Sequence, residues 1–349
     1  MNGIRTGFLG ALVLALSLGC GSEGDGPGGE EATEQGTKKS TGQAMEMPSE
    51  APEILATNAF YYYRELDSAW DFYTRILGFE TVADYGFAKI LRVAPASYLT
   101  LVDEGEGMHD ATEPKSVTLA VVTGEVEGWW AYLTDQGVEM RAPLGEVGGD
   151  RPHDGFVAVD PEGYLLEFER FNPHTENVEL IPILSEIAPL HIPPGRETAP
   201  GVIPLRPPDL GVKATVLWLY YRNLEAIQDF YRRALGSDII VDQGWAKVFP
   251  ASPTGFIGLV DGERGLHSAT EEKAVTVSFF TASLEEWWSH LQDVPGFSFR
   301  TEEITTEGDF ARTFAGYDPE GYDLEWDTFL DVPVNEGLLT RLAAPFGPF

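Results

Sequence analysis

The sequence predicts an α+β fold in which tandem β-α-β-β-β modules build two curved barrels, and three observations predict it. A turn-and-strand block, Asp160-Pro161-Glu162-Gly163-Tyr164-Leu165-Leu166-Glu167, returns almost unchanged as Asp318-Pro319-Glu320-Gly321-Tyr322-Asp323-Leu324-Glu325. The surrounding chain repeats at the same offset of 158 residues, with Asp71-Phe72-Tyr73 matching Asp229-Phe230-Tyr231, Leu77-Gly78 matching Leu235-Gly236, and Trp129-Trp130 matching Trp287-Trp288. Registry that survives through loops marks a duplicated unit. Inside each unit, a segment of period two, a segment of helical period and further period-two segments occur in that order twice.

Taken in order, Met1 to Ser17 begins with Arg5 and runs through Phe8, Leu9, Ala11, Leu12, Val13, Leu14, Ala15 and Leu16, an apolar stretch too short to span a bilayer. It reads as a signal peptide over residues 1–19. The end of it, Leu16-Ser17-Leu18-Gly19-Cys20, resembles a bacterial lipoprotein lipobox, which implies acylation of Cys20 and anchoring to the cell envelope. Gly21 and Ser22 follow Cys20 rather than an acidic residue, which by the same resemblance favours the outer membrane over the inner. Residues 20–53 are rich in Gly, Glu, Ser and Thr and bury too little apolar surface to offset ordering, so they form a disordered tether.

The first unit, 54–171, opens on a strand in which Asn58, Phe60 and Tyr62 alternate with Ala59, Tyr61 and Tyr63. A helix follows, with Asp67 or Ser68 as its cap, Ala69, Phe72, Tyr73, Ile76 and Leu77 at helical spacing, and Gly78 at its end. Strands are expected around 80–83, 88–93 and 98–102. The plan restarts with a strand over 117–122, a helix carrying Val126, Trp129, Trp130 and Leu133, and strands over 156–159 and 164–171. Asp at the first, Pro at the second and Gly at the fourth place of Asp160–Gly163 make the last pair a hairpin. In the strand that leaves it, Leu165, Glu167 and Glu169 share one face, and in the second copy Asp323, Glu325 and Asp327 do. One face is core, and the other carries carboxylates.

Residues 172–211 hold nine prolines, from Pro173 to Pro208, and read as a linker. Within it Ile183-Leu184-Ser185-Glu186-Ile187-Ala188 is similar to Leu338-Leu339-Thr340-Arg341-Leu342-Ala343, so each unit is expected to end in a short apolar segment packed back on its barrel. The second unit spans 212–330, and a tail runs over 331–349.

Composition bounds the partners. With 56 acidic against 23 basic residues the formal charge is −33, which repels nucleic acid and anionic membranes, so contact with the membrane is expected through the lipid anchor alone. The single cysteine excludes an intramolecular disulfide and a cysteine-rich metal cluster.

A strand, a helix ending in Phe-Tyr-x-x-x-Leu-Gly, three strands, a repeat of that plan and a closing Asp-Pro-x-Gly-x-x-x-Glu resembles the vicinal-oxygen-chelate superfamily of glyoxalases, bleomycin-resistance proteins and extradiol dioxygenases. The resemblance implies two glyoxalase-like barrels, and in the superfamily's metal enzymes it implies four ligands in the concave cup. Carried over by position, these are Asn58, Thr100, Thr118 and Glu167 in one repeat and Val216, Gly258, Thr276 and Glu325 in the other. A divalent site takes about three His, Asp, Glu or Cys ligands, and here only the closing Glu remains in each set. No cofactor is therefore expected, a divalent metal at Glu167 or Glu325 being the alternative.

The cup-facing residues Asn58, Phe60 and Tyr62, and their counterparts Val216, Trp218 and Tyr220, combine with Glu167 or Glu325 into an aromatic cup with a carboxylate. Such a cup suits a small cationic or aromatic molecule. Trp129, Trp130, Trp287 and Trp288 lie at core spacing and read as packing. His109 and His267 recur in the crossover between modules, where a histidine serves as an acid or base or satisfies backbone groups. His153, His174, His191 and His290 have no partner at ligand spacing. The expectation is an envelope lipoprotein that binds or sequesters a small molecule. The alternatives are a metal-dependent lyase, isomerase or dioxygenase, and a structural module in which the two barrels pair within the chain.

Overall fold

A computed structural model describes residues 51–347; the signal segment, Cys20 and all but the last three residues of the expected tether lie outside the described residues. The first repeat contains β1 (Ala56–Tyr63), α1 (Leu66–Asp71, widening into a π-turn over Phe72–Ile76), β2 (Glu80–Asp84), β3 (Ala88–Ala94) and β4 (Ser97–Asp103). It continues with β5 (Val117–Val122), α2 (Val126–Asp135), β6 (Met140–Ala142), β7 (His153–Val159) and β8 (Leu165–Phe171). After α3 (Leu180–Glu186) the second repeat supplies β9 (Ala214–Tyr221), α4 (Leu224–Leu235), β10 (Val241–Asp242), β11 (Ala246–Pro250) and β12 (Gly255–Asp261). It ends with β13 (Thr276–Phe280), α5 (Leu284–Gln292), β14 (Ser298–Phe299), β15 (Thr305–Glu307), β16 (Ala311–Tyr317), β17 (Asp323–Phe329) and α6 (Glu336–Ala343).

The strands form two open curved sheets rather than two closed barrels, and neither sheet is made by one repeat. The first runs β14-β16-β17-β13-β1-β4-β3-β2, with β15 on β16, and the second runs β10-β11-β12-β9-β5-β8-β7-β6. Each sheet thus joins the opening module of one repeat to the closing module of the other. The seams are antiparallel, Asn58 opposite Ser278 in the first sheet and Ala120 opposite Val216 in the second. Residues 54–171 and 212–330 are therefore repeats of sequence and not separate sheets. The physical reason is that duplication gives each opening strand two near-equivalent partners, the arrangement that underlies domain swapping.

The repeated turns fasten one sheet to the other. Asp160 Oδ2 accepts from the hydroxyls of Tyr63 (2.6 Å) and Tyr73 (3.0 Å), while Oδ1 accepts from the backbone N–H of Glu162 (3.0 Å) and Tyr164 (2.8 Å). Glu162 accepts from the N–H groups of Arg64 and Glu65 and so caps the start of α1, a role that Asp67 and Ser68 do not take. Tyr164 Oη accepts from the N–H of Tyr62 at 2.9 Å and donates to the carbonyl of Ala274 at 2.7 Å. Asp318, Glu320 and Tyr322 repeat the set against Tyr221, Tyr231, Arg222, Asn223, Tyr220 and Ser116.

The helices cover the outer faces of both sheets, where Tyr61, Tyr164, Trp129, Trp287 and Trp326 join one continuous core. Trp129 and Trp287 are fully buried, as their core spacing predicts. The Pro-rich segment is packed rather than free, because Arg206 lies over the Trp129 ring at 4.9 Å and donates to the carbonyls of Leu77, Leu190 and Leu210. It also contains α3, whose Leu180 and Leu184 pack on the concave face of the second sheet with Val216 and Trp218. Leu338 of α6 does the same in the first sheet against Val82, Ile90 and Tyr98. Both expected apolar segments thus pack back on a concave face.

Candidate functional site: two unequal cups

The inner face of the first sheet gathers Asn58, Phe60, Tyr62, Thr100, Thr276 and Glu325, six of the ten residues that sequence position assigns to a cup. Thr118, Glu167, Trp218 and Tyr220 face the second cup instead. The grouping by repeat is corrected by the crossed pairing: Asn58 shares a cup with Glu325, and Trp218 with Glu167. Matching bonds line both walls. Tyr62 Oη lies 2.7 Å from Thr276 Oγ1, and Tyr220 Oη lies 2.8 Å from Thr118 Oγ1. His109 and His267 stand edge-on to these tyrosines, each with ring centroids 5.0 Å apart. Burial lowers both imidazoles, His267 to about 4, while the Glu113 carboxylate, 2.8 Å from His109 Nδ1, opposes the shift of His109.

The floor of the first cup is a cluster of carboxyls. Asp323, Glu325 and Asp327 alternate along β17, so all three point inward, and Glu307 on β15 joins them electrostatically. Arg300 reaches them from the end of β14, its Nε 3.1 Å from Asp323 Oδ2 and its Nη2 3.5 Å from Glu325 Oε2. Ser278 donates to Asp327 at 2.6 Å. Burial pushes Asp327 up to about 6 and both Asp323 and Glu307 up to about 7. Glu325 is raised well above its ordinary value, by burial first and then by Asp327, Glu307 and Asp323, with Arg300 opposing. Above this floor Phe60, Tyr85, Phe87 and Phe310 are half-buried, and Tyr85 stacks on Phe310 at 4.4 Å. Asn58 accepts from Thr100 at 3.0 Å, and its buried Nδ2 has no partner among the described residues.

The second cup carries fewer charges and fewer partners. Glu167 and Glu169 take the places of Glu325 and Asp327, but Ala120 stands for Ser278, Gly155 for Thr313, Ala142 for Arg300 and Leu165 for Asp323. Burial raises Glu167 and Glu169 to about 8, with their mutual repulsion adding to the shift of Glu167. His153 of β7 completes a group with these two, and one ligand atom from each lies within 4.8 Å of the others. The reading of His153 as partnerless is corrected: the β7–β8 hairpin pairs His153 with Phe171 and Gly155 with Glu169, which sets the imidazole beside the carboxyls. Trp218 lies across Gly258, where an added Cβ would meet the indole Cε3 at 2.0 Å.

The superfamily's metal positions do not suit a metal in either cup. In the first, Asn58 and Thr100 bond each other, Thr276 pairs with Tyr62, and Glu325 is the one carboxylate of the four. In the second, Val216, Gly258 and Thr118 offer no ionisable ligand beside Glu167.

Residues 56–168 match the family model described as Glyoxalase/Bleomycin resistance protein/Dioxygenase superfamily. No curated protein sequence matches the chain. Among solved structures, glyoxalase I from Zea mays is similar at a TM-score of 0.53 and 16% identity, covering 85% of this chain and 97% of that one. A putative dioxygenase from Bacillus subtilis is similar at a TM-score of 0.53 and 14% identity, covering 86% and 98%. Identity this low speaks for the fold alone. Residues 56–168 belong to the Glyoxalase/Bleomycin resistance protein/Dioxygenase superfamily, and the chain as a whole has the two-module fold of its structures.

Proposed function

We propose that this is a lipid-anchored envelope protein whose first cup binds a small organic cation with an aromatic body, and that it acts by binding rather than through the superfamily's metal. The observation that carries the reading is the charge balance of that cup: Asp323, Glu325, Asp327 and Glu307 face the Arg300 guanidinium beneath a half-buried aromatic rim. A second cation offsets the excess, and the rim adds about 0.5 to 2 kcal/mol of cation–π attraction. Calorimetric titration with benzylammonium tests this, with uncharged benzyl alcohol as the control of equal shape. The floor carboxyls must ionise for a cation to bind, so affinity is expected to rise from pH 6 to pH 8, by up to about tenfold per pH unit for each proton expelled. Equal binding of benzyl alcohol, or no binding of the amine at pH 8, overturns the reading.

The anchor is proposed from Cys20 at the end of the apolar leader. Cys20→Ser is expected to leave the chain unacylated and released from the membrane fraction; retention of that variant would contradict the anchor. Outer-membrane placement rests on Gly21 and Ser22.

A further inference from the structure

We propose that His153, Glu167 and Glu169 bind one divalent transition-metal cation in the second cup, a set that shares only Glu167 with the positions carried over from the superfamily's metal enzymes. Three donor atoms, one from each residue, already lie within 4.8 Å of one another. An imidazole nitrogen with two carboxylate oxygens is a donor set for zinc, manganese, iron, cobalt or nickel in their divalent states. His153 and Glu167 are half-buried, so the group is reached from solvent, and Glu169 forms its buried wall.

Acidic groups alone do not make a site, and two further observations point to a missing ligand. The first is unmet bonding. Among the described residues, Glu169 Oε2 and His153 Nδ1 are buried with no hydrogen-bond partner, and the Trp218 indole, 8% exposed, faces the Glu169 carboxyl as a side-chain donor. An indole N–H held there against Gly258 is placed to donate to a carboxylate or to a water on the metal. The second is the internal comparison. In the first cup the corresponding carboxyls are met by Arg300 and Ser278, and Ala311 stands where His153 does. In the second cup Ala142 and Ala120 remove those partners, and a ligand imidazole is present instead. The duplicated sites have thus diverged, one toward an arginine and the other toward an imidazole beside its carboxyls.

The site lies apart from the cup proposed to hold an organic cation, so the two readings fail independently. The test uses the mature chain, stripped of metal by chelation, titrated with Zn²⁺ by calorimetry and with Co²⁺ by visible absorption. One saturable site per chain is expected, with quenching of part of the tryptophan fluorescence by Co²⁺. His153→Ala and Glu169→Gln are each expected to weaken binding by about a hundredfold. Glu325→Gln, in the other cup, is expected to leave it unchanged. Circular dichroism of each variant separates loss of the site from loss of the fold, and His153→Gln serves if Glu169→Gln does not fold. Absence of a saturable site, or equal binding by wild type and His153→Ala, would show that the metal meets only surface carboxylates and would overturn the proposal.

Discussion

Asp160→Ala is expected to destabilise the folded chain by about 3 kcal/mol or more, because it strands several buried donors at once. Those donors are the hydroxyls of Tyr63 and Tyr73 and the backbone N–H groups of Glu162 and Tyr164. Tyr63 and Tyr73 belong to the module that contributes to the first sheet, and Asp160 sits on the hairpin of the second, so the change also loosens one sheet from the other. Burial raises the Asp160 carboxyl while its four donors pull it back, which marks the site as desolvated and dependent on those bonds. Urea unfolding is the appropriate measurement. A loss under about 1 kcal/mol, the size of one ordinary hydrogen bond, would contradict the fastener role.

Glu325→Gln is expected to weaken benzylammonium binding by about thirtyfold or more, the cost of removing one member of a buried charge pair. The same variant is expected to change how stability depends on pH. Burial pushes Asp327, Asp323 and Glu307 up to about 6, 7 and 7 in the folded chain, and Glu325 is likewise raised well above its ordinary value. Between about pH 4 and pH 8 the folded state therefore binds more protons than the unfolded one, and stability falls as pH rises. The contribution of each carboxyl is fully present below its unfolded value and is lost as pH climbs through its folded value. Removing Glu325 takes one charge from the cluster, so the melting temperature of the variant should fall less between pH 5 and pH 8 than that of the wild type. A steeper fall would contradict this electrostatic account.

The helices, the strands and the repeated turn are legible from local patterns, because amphipathic period and turn chemistry act within a few residues. The exchange of modules between repeats is not, since the strands on either side of each seam have counterparts of the same apolar pattern 158 residues away. The cups follow the same division. Asn58, Phe60, Tyr62 and Glu325 are visible from alternation and position, whereas Arg300 lies beyond a two-residue strand with no periodic signal. His153 was within reach. The Asp160–Gly163 turn sets the hairpin register, and counting back from Phe171 across it places His153 on the face shared by Glu167 and Glu169. The partners that separate the cups, Ser278 against Ala120 and Arg300 against Ala142, carry meaning only once the strands are paired.

The central claim is that the first cup holds an organic cation, and a crystal structure of the chain soaked with benzylammonium at pH 8 tests it most directly. The account predicts ligand density with the ammonium among Asp323, Glu325 and Asp327 and the ring against Phe60, Tyr85 and Phe310. A first cup in which Arg300 alone meets the carboxyls while the ligand lies elsewhere, or nowhere, would contradict it.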